Sequence, residues 1–341
     1  MDTMATKNQT DWNGIPYYPI SRYYKEFFGE KVLKLPVSVP GTCPNREGLN
    51  GMQVCNFCDE WGSAAYPESR DQELFDQIRH NKTQVLRKGK AKQFLVYFQS
   101  YTFTYSRVAR LEKYMEACLD LGDICGFVIG TRPDCISDAV IDLWNRFAEK
   151  VPVFIELGVQ SFDDSQLNWM SRGHDAQRSI KALLRLQKKC PTLNVGIHLM
   201  FGMPGETDHQ IRETAELVNQ LPIHNVKLHN LHVLKNTPLE QDFRAGLFTP
   251  IDFEKYCQRV GIFLQHLKPS LPIHRLAANS SRRDELVSPE WTGDKMRTYQ
   301  QMLDYLIQND IYQGQLYKED EEQLKTSPTH LPLEFFSYQS Q

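Results

Sequence analysis

The sequence predicts an α/β fold, a partial (β/α)6 TIM-like barrel with a helical C-terminal extension. Two observations carry this. From about residue 31, short β-branched or apolar runs alternate with longer amphipathic segments. Strands that alternate with single helices make βα units and a parallel sheet. Six such units fit within residues 31–235, about 34 residues each, close to the 30 or more of a βα repeat. An eight-unit barrel typically needs about 250 residues. An open doubly wound sheet is the rival, because a sequence does not display closure.

Residues 1–30 are polar and rich in Tyr17, Tyr18, Tyr23, Tyr24, Phe27 and Phe28, and read as a leader that packs onto a core. The strands fall at 31–38, 93–99, 124–130, 153–160, 194–201 and 225–233. Between them, Val108, Leu111, Tyr114, Met115, Cys118 and Leu119 keep one helical face, as do Ile211, Ala215, Val218 and Leu221. After Thr237 the pattern turns to helices at 239–246, 252–267 and 294–308, with one short apolar run, Leu271-Pro272-Ile273. Residues 236–341 therefore form an extension, placed to close the open side of the barrel. Within it lies an acidic stretch, Lys318-Glu319-Asp320-Glu321-Glu322.

Composition narrows the function. The 341 residues are 41% hydrophobic and 24% charged, ordinary for a globular protein. No apolar run approaches the ~18 residues of a membrane span, so no membrane partner is expected. The first residues lack a basic start and an apolar core, so a cytoplasmic location is expected. The net charge of −3 gives no whole-protein attraction for nucleic acid. Eight cysteines in such a chain point to metal or redox chemistry before disulfides.

Cys43, Cys55 and Cys58 stand apart from the other five. They lie in one loop after the first strand, with Gly48 and Gly51 between them. In a βα barrel that loop lies at the active-site end. Glycines there permit tight turns around a bulky ligand. Three thiolates can hold three irons of a [4Fe–4S] cube and leave the fourth iron open. A zinc site and three unrelated core cysteines are the alternatives. Structural zinc takes four ligands, and no second CxxC exists. Cys118, Cys125, Cys135, Cys190 and Cys257 show no ligand spacing.

Further stretches, in order, are KVLKLPVS, TCPNREG, CNFC, YFQSYTFTY, GFVIGTRPDCI, ELGVQS, SRGH, HLMFGMPGET, VKLHNLHVLKNTPL and PEW at 289–291. On these the sequence resembles radical S-adenosylmethionine (SAM) enzymes of the YhcC/YtqA type, whose barrel is similar to those of the elongator catalytic subunit and the oxygen-independent coproporphyrinogen dehydrogenase. The resemblance runs from about Gly29 to Lys295. It implies that Cys43, Cys55 and Cys58 bind a [4Fe–4S] cluster and that SAM chelates the open iron. It implies reductive cleavage of SAM to a 5′-deoxyadenosyl radical, with a donor such as flavodoxin or ferredoxin. Phe57 matches the aromatic expected near the adenine. Gln160 and Arg172, twelve residues apart, match SAM-contacting positions, and a guanidinium suits the SAM carboxylate. His198 occupies the place of an acidic SAM contact. Gly202-Met203-Pro204-Gly205 would bring backbone close to the cofactor. The second strand ends in Gln99-Ser100-Tyr101-Thr102 where many relatives have glycines. Ser100 and Thr102 offer hydroxyls to SAM, and Tyr101 must point away or line the substrate pocket.

For the substrate end, Arg132 and Lys235 are candidates to hold a carboxylate or phosphate, against an Arg132–Asp134 loop pair and a solvated lysine. Glu156, inside the fourth strand, needs a cationic partner. Period-two alternation places His229 and His232 on opposite faces unless a bulge intervenes, with Lys227 sharing the His229 face. The basic run Arg79, Lys82, Arg87, Lys88, Lys90 and Lys92 closes the first helix at the far end of the barrel and reads as a solvated face. The resemblance points to the wobble-uridine side chain of tRNA as substrate, carboxymethylaminomethyl being trimmed to aminomethyl. A small carboxylated metabolite and a non-catalytic iron–sulfur protein are the alternatives.

Overall fold

The computed structural model describes residues 12–60, 62, 72–280 and 282–319. The first eleven leader residues, Asp320, Glu321 and Glu322 of the acidic stretch, and the remainder of the extension lie outside the described residues.

Six parallel strands, β1 (Val32–Val37), β2 (Gln93–Phe98), β3 (Ile124–Thr131), β4 (Val153–Gln160), β5 (Asn194–Phe201) and β6 (Asn225–Asn230), pair in sequential order. Helices α2 (Leu74–Lys88), α3 (Val108–Leu119), α4 (Asp138–Ala148), α5 (Asp164–Trp169), α6 (Ala176–Lys189) and α7 (Asp208–Gln220) follow the strands in turn, α5 and α6 both lying between β4 and β5. The sheet curls into a half-barrel, as the βα alternation predicts. β1 is an edge strand, which is where Pro36, lacking a donor, is tolerated. β6 is shorter than the apolar run suggests and stops at Asn230.

Side chains alternate across the sheet. Leu35, Phe94, Val96, Phe98, Phe127, Ile129, Ile155, Leu157, Ile197 and Leu199 point outward into one core with the helices. Several helices begin on side chains that accept from their own first turn, such as Ser137, Asp175 and Thr207, the last in a capping box with Gln210.

The far edge of β6 is not left open. The Val226 and Leu228 amides donate to the carbonyls of Pro272 and Arg275, and the His274 amide donates to Val226. Ile273 in turn pairs with the leader: its amide donates to the Tyr18 carbonyl, and the Ile20 amide donates back. From there α1 (Ile20–Phe28) crosses the concave face at the N-terminal ends of the strands. Tyr24 packs edge-on against Phe154 of β4, and the Asn194 amide on β5 donates to the Tyr23 hydroxyl at 2.6 Å. The extension adds β7 (Val233–Leu234), α8 (Pro238–Arg244), α9 (Phe253–His266), β8 (Leu286–Ser288) and α10 (Lys295–Gln308), with β7 and β8 antiparallel. α9 lies on the barrel wall, its Phe263 against Phe201 at 5.4 Å. Among the described residues no helix is long and apolar enough to cross a membrane.

Phe127 is fully buried, with Phe98 and Phe147 rings at 6.2 and 5.8 Å. We expect Phe127→Ala to lower unfolding free energy by about 3–5 kcal/mol, read from the urea midpoint. A shift near zero would mean the wall is not packed through this ring.

Candidate active site at the mouth of the barrel

The inward faces of the strands are polar where a barrel interior is usually aliphatic. Glu156 lies at the centre, 2% exposed. Its carboxylate accepts from Lys34 on β1 (2.7 Å), Tyr97 on β2 (2.7 Å), His198 on β5 (2.8 Å) and Lys227 on β6 (2.7 Å). Burial pushes this carboxyl up, but Lys227 and Lys34 outweigh it and hold it well below its ordinary value. The cationic partners expected for Glu156 are thus two lysines. Burial drives Lys227 down to about 8 against the pull of Glu156. Burial and Lys227 drive His198 down to about 4, so its imidazole is neutral and donates from Nε2. The His198 and His229 rings lie 4.9 Å apart. Because β6 ends at Asn230, strand alternation does not extend to His232. Both His229 and His232 feel the same neighbour, Arg275, and with burial it keeps both neutral.

Above this layer, at the C-terminal ends of the strands, lies the loop with Cys43, Cys55 and Cys58. It has little regular structure beyond a turn at Leu49–Gly51, and Gly48 and Gly51 adopt positive φ. Polar side chains sew it to the barrel. The Asn45 amide donates to the carbonyls of Gln53 and Ser171, both at 2.6 Å. The Asn56 backbone amide donates to Met170, its side chain donates to the Trp169 carbonyl at 2.9 Å, and its carbonyl accepts from Leu239. Arg46 donates to the Cys58 sulfur at 3.4 Å and to the Asp59 carbonyl. Asp59 pairs with Arg282 of the extension.

Arg132, at the end of β3, is taken up by structure. It pairs with Asp134 through two bonds of 2.8 and 2.9 Å, donates to Asn45, and donates to the Arg172 carbonyl at 2.8 Å. Lys235 is exposed after β7. Its amide donates to Glu285, and its charge acts on Glu240, a carboxyl lowered chiefly by hydrogen bonds from Arg244 and Asn236. Tyr101 points onto the cysteine loop, its hydroxyl donating to the Glu60 carbonyl at 2.7 Å. Ser100 and Thr102 are buried at the end of β2. Phe57 packs against the apolar cluster that includes Met200, Met203 and Leu231. The Gly202 amide donates to Glu206, which holds Arg259 at 2.5 Å.

Arg172 is 8% exposed. It donates to the Cys55 sulfur at 3.5 Å and to the Gly158 carbonyl at 2.9 Å, and its Nε has no partner. Gln160 ends β4 at φ 70° with its amide oxygen unpartnered. Gly158 makes room for both: a Cβ there would lie 2.8 Å from the Arg172 guanidinium and 2.9 Å from the Gln160 amide. Outside the loop is a cleft of about 860 Å³ lined by Pro44, Tyr105, Arg107, Cys135, Arg178 and Lys181, among others. The basic run lies on and after α2, away from this mouth, with Lys82 paired to Asp123.

Asn45, Asn56 and Arg275 did not stand out in the sequence. Lys34 and Lys227 carried a usable signal, since a lysine amid an apolar strand predicts a polar interior.

A parallel half-barrel with a three-cysteine loop at its C-terminal mouth and a polar interior places the protein among the α/β-barrel proteins. The chain belongs to the radical SAM superfamily. Residues 37–218 match the Radical SAM superfamily model, and residues 223–308 match the Radical SAM C-terminal domain. YtqA of Bacillus subtilis is 29% identical over 307 residues, 90% of this chain and 94% of YtqA. YhcC of Escherichia coli is 33% identical over 288 residues, 83% of this chain and 90% of YhcC. Elp3 of Methanocaldococcus infernus, an N-terminally truncated form, shares the fold with a TM-score of 0.62 at 19% identity, over 83% of this chain and 64% of that one. Enzymes of this superfamily work with a [4Fe–4S] cluster and SAM.

Glu156→Gln leaves two lysines facing a neutral amide. We expect a loss of about 3–5 kcal/mol in urea unfolding. A variant as stable as the parent would remove Glu156 as the tie of the interior.

Proposed function

We propose that this protein uses Cys43, Cys55 and Cys58 to hold a [4Fe–4S] cluster and cleaves SAM to modify a wobble-uridine side chain of tRNA, converting carboxymethylaminomethyl to aminomethyl. The observation that carries the reading is the pairing of a three-thiol loop with a buried guanidinium, Arg172, that contacts a thiol and no carboxylate among the described residues. The donor set suits a cube: three thiols of one loop match three irons and leave the fourth open.

Held by Cys43, Cys55 and Cys58, a reduced cluster would supply the electron for reductive cleavage of SAM and hence for hydrogen abstraction from the carboxymethyl carbon beside the substrate amine. Return of one electron to the cluster and addition of water would then release that two-carbon unit as glyoxylate. The protein's own residues do the rest. Arg172 binds the SAM carboxylate through its free Nε face. The unpartnered Gln160 oxygen accepts from a ligand donor. Phe57 offers an aromatic face to the adenine, and Ser100 and Thr102 line the mouth. His198, committed to Glu156, acts from beneath and fixes the floor of the pocket.

A reduced flavodoxin or ferredoxin is the electron donor in this reading. Arg107, Arg178 and Lys181 around the outer cleft give an acidic carrier a basic face beside Pro44. Support for the tRNA substrate comes from the elongator-like resemblance and from Arg275 in the interior, which suits an anionic side chain. The setting is cytoplasmic, where tRNA and such donors meet.

Anaerobically reconstituted protein given SAM and dithionite should release 5′-deoxyadenosine, measured by chromatography with mass detection. Cys55→Ala should lose both the iron–sulfur absorbance and the product; product from that variant would refute the ligand assignment. A deletion strain should accumulate carboxymethylaminomethyluridine in its tRNA nucleosides at the expense of aminomethyluridine. An unchanged nucleoside profile would sink the tRNA substrate.

A further inference from the structure

We propose that Arg275 binds a carboxylate of the substrate inside the barrel. The inference rests on the reading of the protein as an enzyme for a carboxymethylamino-bearing substrate, and it names the residue that recognises that group.

Most strongly buried cations of the barrel are matched. Lys34 and Lys227 share Glu156, Arg132 holds Asp134, and Arg259 holds Glu206. Arg172 and Arg275 are among the exceptions. Arg172 faces a cysteine of the loop. Arg275 lies deeper and is half-buried. Its Nε donates to the Leu228 carbonyl at 3.3 Å, and one Nη contacts the His229 ring nitrogens at 2.8 and 3.1 Å. Among the described residues no carboxylate lies within ion-pair distance of it.

Neutral acceptors do not offset a buried guanidinium. His229 is neutral, and the same cation helps to hold His198 and His232 neutral as well. An unmatched charge in such a place is costly, and a carboxylate brought to it gains a charge-assisted, two-pronged bond.

The strand register sets the height of this site. His198 pairs with Lys227, and Met200 pairs with His229, one step nearer the C-terminal ends. Arg275, bonded to Leu228 and His229, therefore lies between the Glu156 floor and the cysteine loop. A substrate entering from the mouth would reach it with its far end. The two cations that the sequence offered for this task are engaged elsewhere: Arg132 is tied to Asp134, Asn45 and the Arg172 carbonyl, and Lys235 sits on the outside near Glu240.

The test is equilibrium binding, which needs no turnover. The probes are carboxymethylaminomethyluridine and aminomethyluridine, each as free nucleoside and within an anticodon stem-loop RNA. In the parent the carboxylated member of each pair should bind about tenfold or more tighter, the range of a charge-assisted bond. Arg275→Gln should erase that preference by weakening the carboxylated ligand alone, and Arg275→Lys should keep part of it. The ligand-free Arg275→Gln protein should melt no lower than the parent, because an unmatched charge has been removed. Equal affinities in the parent, a preference that survives in Arg275→Gln, binding of neither pair, or a strongly lowered melting temperature would each overturn the proposal. Preference among nucleosides with no RNA binding would refute the tRNA substrate while leaving the carboxylate anchor standing. Failure to form 5′-deoxyadenosine would strike the radical chemistry and leave this readout untouched.

Discussion

The carboxylate of Glu156 is the tie on which the interior depends. It reaches β1, β2, β5 and β6 from its own place on β4. A half-barrel whose strands are splayed by twist needs something at its axis, and aliphatic packing is the usual answer. Here an ionised group does it, and the cost of burying charge is offset by four donors, one on Oε1 and three on Oε2. The reward is direction. Salt bridges and hydrogen bonds set the orientation of Lys34, Lys227, His198 and Tyr97, whereas dispersion would leave them to slide. The floor of the pocket is thereby fixed before any ligand arrives.

The mouth is organised by a different device. The cysteine loop has almost no secondary structure, so its shape is imposed by contacts to elements that are themselves rigid. Asn45 and Asn56 hold it to the segment after β4, Arg132 clamps Asn45 from β3, and Asp59 engages the extension through Arg282. Preorganisation of this kind matters for a reactive site, where small misplacements of a bound group are expensive in rate. The thiols do not need to find their positions, because their neighbours already have.

How much of this was legible in the sequence follows from the range of the interactions. β4 and β5 were legible to the residue, because buried Val, Ile and Leu runs end where polar loops begin. The Cys43, Cys55 and Cys58 grouping stood out by spacing, and the motifs around it, rather than spacing alone, favoured a cluster over zinc. The interior carboxylate was visible as a charge out of place in a strand, and so was its need for a cation. What the sequence hid was non-local. β6 reads as continuing through Val233, since nothing local announces the break after Asn230. Arg275 sits in no strand pattern, and only the pairing of residues 272–275 with β6 carries it to the barrel. The Arg132–Asp134 loop pair was legible as one of two readings, but the further acceptors of Arg132, Asn45 and the Arg172 carbonyl, lie far away along the chain.

Ile273 is bonded on both sides, to Val226 on one and to the leader on the other. The leader precedes the six βα units along the chain, and its partner at Ile273 follows them. Tyr18 to Ile20 must therefore wait, unpaired, while the six βα units assemble, and α1 can seat beneath the strands only after the extension has laid down its own segment. That closure joins segments far apart along the chain, a contact of high order and a slow one. Until it forms, the rim of β6 and the aromatic ring face of α1 are both uncovered, and the nascent protein is at its most vulnerable to mispairing.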